Sequence, residues 1–200
     1  MRILTAKEDN ILRASRTIAR GGLVVYPTDT VYGLGCDPLN IEAVTRVLNV
    51  KGEREKPLPI LASDIDSVKK IAFMSERGGR ITARFWPGPL TIVVPKKPVL
   101  PNLVTCNLNS VGVRIPQHEV ALRLISLSNG LLVGTSANKT GVKPPRTARE
   151  AAEQLGKEVD LILDGGPASL GVPSTVVDLT QEKLKVLREG SISLEALVNT

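Results

Sequence analysis

Apolar positions along this chain switch period several times, and the switches mark out an alternation of helices and strands. Between residues 7 and 20, Ile11, Leu12, Ser15, Ile18 and Ala19 fall on one helical face, and Gly21-Gly22 supplies a stop. Residues 23–26 follow as an apolar strand. Asn40 is placed to cap a helix carrying Ile41, Val44 and Leu48, which ends near Lys51, and a strand over 58–61 comes next. Further β-branched runs at 91–94, 111–115, 131–135, 159–163, 175–179 and 184–187 read as strands. Residues 121–127 and a segment opened by Thr147, with Glu150 in capping-box spacing, read as helices. The links between the last three strands are too short for helical crossovers, so part of the sheet must be antiparallel. The pattern predicts an α/β fold: an open, twisted sheet of mixed parallel and antiparallel strands with helices packed on it.

Composition narrows this further. At 200 residues the chain is the size of one domain, expected to span 1–200. Hydrophobic residues make up 42 % but aromatic ones only 2 %, so the core must be built from aliphatic side chains. The net charge of +6 favours anionic partners such as nucleotides or RNA. The two cysteines, Cys36 and Cys106, form neither a disulfide framework nor a zinc-ligand spacing, and no long apolar run or leader-like start is present. The expectation is a cytoplasmic protein with no membrane association.

Candidate chemistry sits where strands end. In residues 26–35, Tyr26-Pro27-Thr28-Asp29-Thr30-Val31-Tyr32-Gly33-Leu34-Gly35, Pro27 interrupts the ladder, and Thr28, Asp29 and Thr30 are expected to expose oxygens to a small polar ligand unless they only build a turn. Lys51, Arg54 and Lys56 gather around Gly52, either to grip phosphate oxygens or as a solvated helix end. Arg114 lies inside a strand pattern and needs an anion, supplied by a ligand carboxylate or an internal acid. Residues 134–141 present Ser136 and Asn138 in a glycine-bounded turn suited to an anion or nucleotide. They do not form a serine-hydrolase elbow, and His118 reads as a surface or helix-start residue rather than a base. Trp86-Pro87-Gly88-Pro89-Leu90-Thr91 reads as a structural turn, while Asp164-Gly165-Gly166, Pro173-Ser174-Thr175-Val176-Val177-Asp178 and Arg188-Glu189-Gly190 stand at further strand boundaries. P-loop and dinucleotide-binding glycine signatures are absent from the sequence.

These motifs, in this order from residue 20 to 190, resemble the YrdC-like threonylcarbamoyl-adenylate synthases, in their short form. The resemblance implies a large basic concave cavity and a nucleotidyl transfer from ATP, L-threonine and bicarbonate or carbon dioxide to threonylcarbamoyl-AMP and pyrophosphate. It implies Lys51 and Arg54 as catalytic residues, and ATP contacts from Lys51, Arg54, Lys56, Ser110, Ser136, Asn138 and Arg188. It places threonine against Thr28, Thr30, Arg114 and Ser174, and brings magnesium with ATP. The product would serve threonylcarbamoyl modification of tRNA through a downstream transferase complex, with tRNA contact as a further expectation. The chain departs from the family pattern by an extra residue between Lys51 and Arg54, and by Leu61 where some relatives carry a histidine. The competing reading is a non-catalytic double-stranded RNA or tRNA-binding module.

Overall fold

The computed structural model describes residues 3–52 and 56–198. Strand β1 (Ile3–Thr5) leads to helix α1 (Glu8–Ala19), which opens on Glu8 and Asp9 and buries Ile11, Ala14, Ser15 and Ile18. Leu12 is half-buried and Ala19 exposed, so the buried stripe turns through Ala14 rather than Ala19. Strands β2 (Val24–Tyr26) and β3 (Gly33–Gly35) flank the polar turn and pair antiparallel. Asn40 caps α2 (Ile41–Lys51) by accepting from the Ala43 N–H at 3.0 Å, as its sequence position predicts. Next come β4 (Ile60–Ala62), α3 (Ile65–Ile71), α4 (Glu76–Phe85), β5 (Leu90–Pro95) and β6 (Ser110–Arg114). The chain continues through α5 (Glu119–Leu127), β7 (Leu131–Val133), β8 (Thr135–Ser136), α6 (Ala148–Leu155), β9 (Leu161–Asp164), β10 (Thr175–Asp178), β11 (Lys185–Arg188) and α7 (Leu194–Val198). Thr147 caps α6 by accepting from the Glu150 N–H.

The strands form two sheets rather than one. The order β1-β9-β2-β3-β8 makes the first, and β11-β10-β5-β6-β4-β7 the second; both mix parallel and antiparallel pairs. The strand expected over 131–135 divides at Gly134, where the chain leaves β7 in one sheet and enters β8 in the other. A Cβ on Gly134 would lie 2.4 Å from Leu61 Cγ, so this crossing needs glycine for space. The last three strands are correspondingly split: β10 and β11 pair antiparallel, whereas β9 belongs to the other sheet and lies parallel to β1 and β2.

Burial runs continuously between the layers, through Val25, Leu34, Val44, Val47, Ile60, Ile92, Val113 and Val133. Both tyrosines are fully buried, and the Tyr26 hydroxyl donates to Val133 O at 3.0 Å, joining the sheets through a satisfied polar group. Among the described residues no helix is long and apolar enough to cross a membrane.

Candidate active site

The turn between β2 and β3 is the floor of the site. Thr28 Oγ1 donates to Val31 O at 2.6 Å and accepts from the Thr30 and Val31 N–H groups, a hydroxyl-closed turn that pins the segment. Tyr32 N–H donates to Pro145 O at 2.9 Å, and its buried hydroxyl donates to Gly166 O at 2.7 Å. Burial pushes the Tyr32 phenol up to about 12, so it works as a neutral anchor. The expectation of free oxygens at Thr28, Asp29 and Thr30 is therefore corrected. All three are under 5 % exposed and hydrogen-bonded inside the protein, because the turn is covered by the 143–146 and 167–172 segments.

Arg114 closes β6 and points into this turn at 4 % exposure. Its Nε donates to Gly88 O at 2.9 Å, its Nη1 to Thr30 Oγ1 at 2.8 Å, and its Nη2 to Asp29 Oδ1. The question the sequence left open has an internal answer: Asp29 is the acid that pairs with Arg114. Of the five guanidinium N–H groups, three are taken, which leaves two for a ligand. Burial pulls the Arg114 pKa down, and the adjacent Asp29 carboxylate opposes that pull. The Gly88 carbonyl belongs to the turn before β5, where a Cβ would collide with Phe85 O at 2.3 Å. The turn expected to be structural thus also aims the arginine.

Asp29 is itself held tightly. Its Oδ1 also accepts from the Gln117 N–H at 3.2 Å, and its backbone carbonyl accepts from Leu170 N–H and Ser169 Oγ. Its Oδ2 is buried with no hydrogen-bond partner. His118, at the N-cap of α5 as a helix-start residue, has a half-buried ring whose pKa burial lowers, against the opposing pull of Asp29 and Glu119. Thr91, Gly88 and Gln117 complete the group. Sequence reasoning did not single out Gln117 and read Gly88 and Thr91 only as parts of a structural turn, since Gln117 and Gly88 act through backbone atoms and Thr91 opens an ordinary strand pattern.

Arg188, ending β11, extends the site. Its Nε donates to Ser174 O at 3.0 Å and its Nη2 to Ser174 Oγ at 3.1 Å, while Ser174 Oγ and Thr91 Oγ1 are 2.8 Å apart. Arg188 is exposed as a residue, but its surroundings desolvate the guanidinium enough to lower its pKa, and its charge is felt at Arg114. Thr30, Arg114, Ser174 and Arg188 are thus brought into one group, with Arg188, expected beside Lys51 and Arg54, bonded to Ser174 of the expected threonine set.

A second cluster lies at the end of α2. Lys51 Nζ donates to Ser136 O at 2.7 Å and to Asn138 O at 2.6 Å, and Lys51 O accepts from Thr140 Oγ1 at 2.7 Å. The Asn138 amide nitrogen bridges Lys139 O and Val142 O, leaving its buried Oδ1 without a partner. The clusters are linked through the sheet, for β3, which continues the turn, pairs Gly33 with Ser136. Ser110 opens β6 at the end opposite Arg114, so about 13 Å of strand separates them. Lys56 is exposed, and Arg54 lies outside the described residues. Leu61 stands beside Arg114 in the β4–β6 register and fills the space left by Gly134. A separate cavity of about 300 Å³, lined by Leu39, Lys70 and Val99 among others, shares no residue with either cluster.

This frame is shared with known proteins. The Sua5/YciO/YrdC family model, described as "Telomere recombination", matches residues 16–190. The chain belongs to the Sua5/YciO/YrdC family. A curated relative from Pyrococcus abyssi, threonylcarbamoyl-AMP synthase, is 40 % identical over 193 residues, covering 96 % of this chain and 57 % of its own. The chain thus spans little more than half of that relative's length. The crystal structure of P. abyssi Sua5 complexed with L-threonine superposes with a TM-score of 0.97 at 38 % identity, over 100 % of this chain and 60 % of that one. E. coli YciO superposes with a TM-score of 0.88 at 25 % identity, over 96 % of this chain and 94 % of its own.

Proposed function

We propose that this protein is an L-threonylcarbamoyladenylate synthase, joining L-threonine, bicarbonate or carbon dioxide, and ATP into threonylcarbamoyl-AMP with release of pyrophosphate. The observation that carries this reading is the buried Arg114, with two donors left over, in a frame that superposes along its whole length on a relative crystallised with L-threonine. Threonine's carboxylate takes those two donors, and the Thr30 and Ser174 hydroxyls face its polar groups. Thr28 serves by holding Thr30, since its hydroxyl is spent on the turn.

The chemistry asks little of a general base. Once the amino group has become a carbamate, its oxygen attacks the α-phosphorus and pyrophosphate leaves in line, so catalysis comes from alignment and from balancing negative charge. Arg188 and Lys51, joined by Arg54 and Lys56, supply that balance; Ser136, Asn138 and Ser110 contact the nucleotide. Magnesium enters as the companion of the triphosphate substrate, and among the described residues no three acidic, histidine or cysteine side chains converge to hold it instead. A cytoplasmic setting and delivery to a downstream threonylcarbamoyl transferase acting on tRNA follow from the same reading.

Pyrophosphate release, measured with ATP and magnesium, should require both threonine and bicarbonate. Release without threonine, or none with all substrates present, overturns the synthase and leaves the RNA-binding module standing.

A further inference from the structure

Ser174 ties the site to Arg188, whose electrical surroundings differ from those of Arg114. Arg114 is in contact with the Asp29 carboxylate, and both side chains are at least nine-tenths buried. Arg188 pairs with no carboxylate among the described residues; its partners are the two Ser174 oxygens. The guanidinium groups are close enough for the charge of one to disfavour the charge of the other.

A pocket that takes an amino acid and a nucleoside triphosphate must sort two kinds of anion. Attraction grows with the product of the charges, so two bare guanidinium groups side by side would both favour the polyphosphate over a monoanionic carboxylate. We propose that Asp29 performs the sorting: by neutralising Arg114 it reserves that guanidinium for the single carboxylate of the amino acid and leaves the polyphosphate to Arg188. This inference rests on the synthase reading above. Asp29 acts through Arg114 and is a positioning residue.

The surroundings of Asp29 suit that task. The Gln117 N–H fixes Oδ1, and Ser169 and Leu170 fix its backbone carbonyl, so the carboxylate cannot swing away from the arginine. Oδ2 has no hydrogen-bond partner, so no second cation is bonded to the acid and the pair stays close to neutral. Nη1 and Nη2 of Arg114 each keep one N–H, as many donors as one carboxylate has oxygens. Arg188, on an edge strand beside only β10, is open to a larger anion.

The test is calorimetric titration of the whole chain with L-threonine, in the presence and absence of sodium tripolyphosphate, so that no turnover intervenes. In the unaltered protein, tripolyphosphate should change the threonine Kd by less than about twofold, because the neutral pair gives it little purchase. In Asp29→Asn the freed charge should admit tripolyphosphate to Arg114 and raise the apparent threonine Kd about tenfold or more. His118, the single histidine, gives an independent readout: its ring signal in proton NMR should respond to threonine alone in the unaltered protein and to both ligands in the variant. Should Asp29→Asn fail to fold, Arg188→Gln decides the matter, with tripolyphosphate affinity expected to fall about tenfold and threonine affinity to persist. Asp29→Asn that binds threonine without competition overturns the inference, as does Arg188→Gln that grips tripolyphosphate undiminished. An unaltered protein that binds no threonine overturns the synthase reading and this inference together.

Discussion

Replacing Arg114 by lysine keeps a positive charge opposite Asp29 but removes the planar fork, and so separates charge from geometry. The arginine makes three bonds, to Gly88 O, Thr30 Oγ1 and Asp29 Oδ1. A lysine ammonium turned toward Asp29 cannot also reach Gly88 O, which the arginine meets through Nε, and it meets Thr30 poorly. Two charge-assisted bonds at about 1.5 kcal/mol each put the stability loss near 3 kcal/mol, since the site is too buried for water to substitute. Ligand binding suffers separately: a fork of two donors becomes at best one, costing about 2 kcal/mol, or about thirtyfold in threonine affinity. Urea denaturation reads the first quantity. Calorimetric titration with threonine reads the second, and ATP titrated into the same sample serves as control, with its affinity expected to change less than about threefold. Threonine binding as tight in Arg114→Lys as in the unaltered protein would refute the assignment, because charge alone would then suffice.

Further outcomes follow from the same geometry. Lys51→Met removes the ammonium that holds Ser136 O and Asn138 O, so ATP affinity should fall about tenfold or more while threonine affinity holds, as parallel titrations would show. Gly134→Ala should destabilise by about 1–3 kcal/mol through collision with Leu61, and a double-mutant cycle with Leu61→Ala should show a coupling of at least about 1 kcal/mol. Burial sets the His118 pKa below its ordinary 6.5, so the unfolded chain binds the proton more readily. Stability should therefore fall as pH drops below 6.5 and stop responding to this group beneath the folded value; denaturation midpoints in His118→Gln should lose that slope.

Parts of this molecule were readable from residue order and parts were not, for physical reasons. The caps at Asn40 and Thr147 and the glycine stop after α1 are local chemistry, and each stands where the pattern put it. Helix α4 escaped notice because Gly78 and Gly79 lie inside it; Ser75 capping and the burial of Ile81 and Thr82 outweigh their poor propensity. Strand β3 is Gly-Leu-Gly, weak by propensity, and forms by pairing with β2 and β8, its glycines making room for the buried Tyr26 ring and, at Gly35, for Val133 O. The passage from β7 to β8 between the two sheets runs through Gly134, packed against Leu61, a tertiary fact with no period to betray it. At the site, the chain order exposed Thr30, Arg114, Ser174 and Arg188 as candidates. It could not tell that the acid satisfying Arg114 is Asp29, eighty-five positions away, since long-range ion pairs leave no local mark.

The order of the larger sheet carries a consequence for exchange with solvent. Arg114 ends β6, which is zipped between β5 and β4, while Arg188 ends β11, a rim strand whose ladder slips register between Val176 and Val177. Backbone amides along β6 should trade hydrogen for deuterium only when the whole sheet opens, and those of β11 through shallow fraying. If the proposed assignment holds, the small, fixed shape would be gripped from an interior ladder and the long, many-jointed anion from a rim one, so the two grips would loosen at different depths of opening.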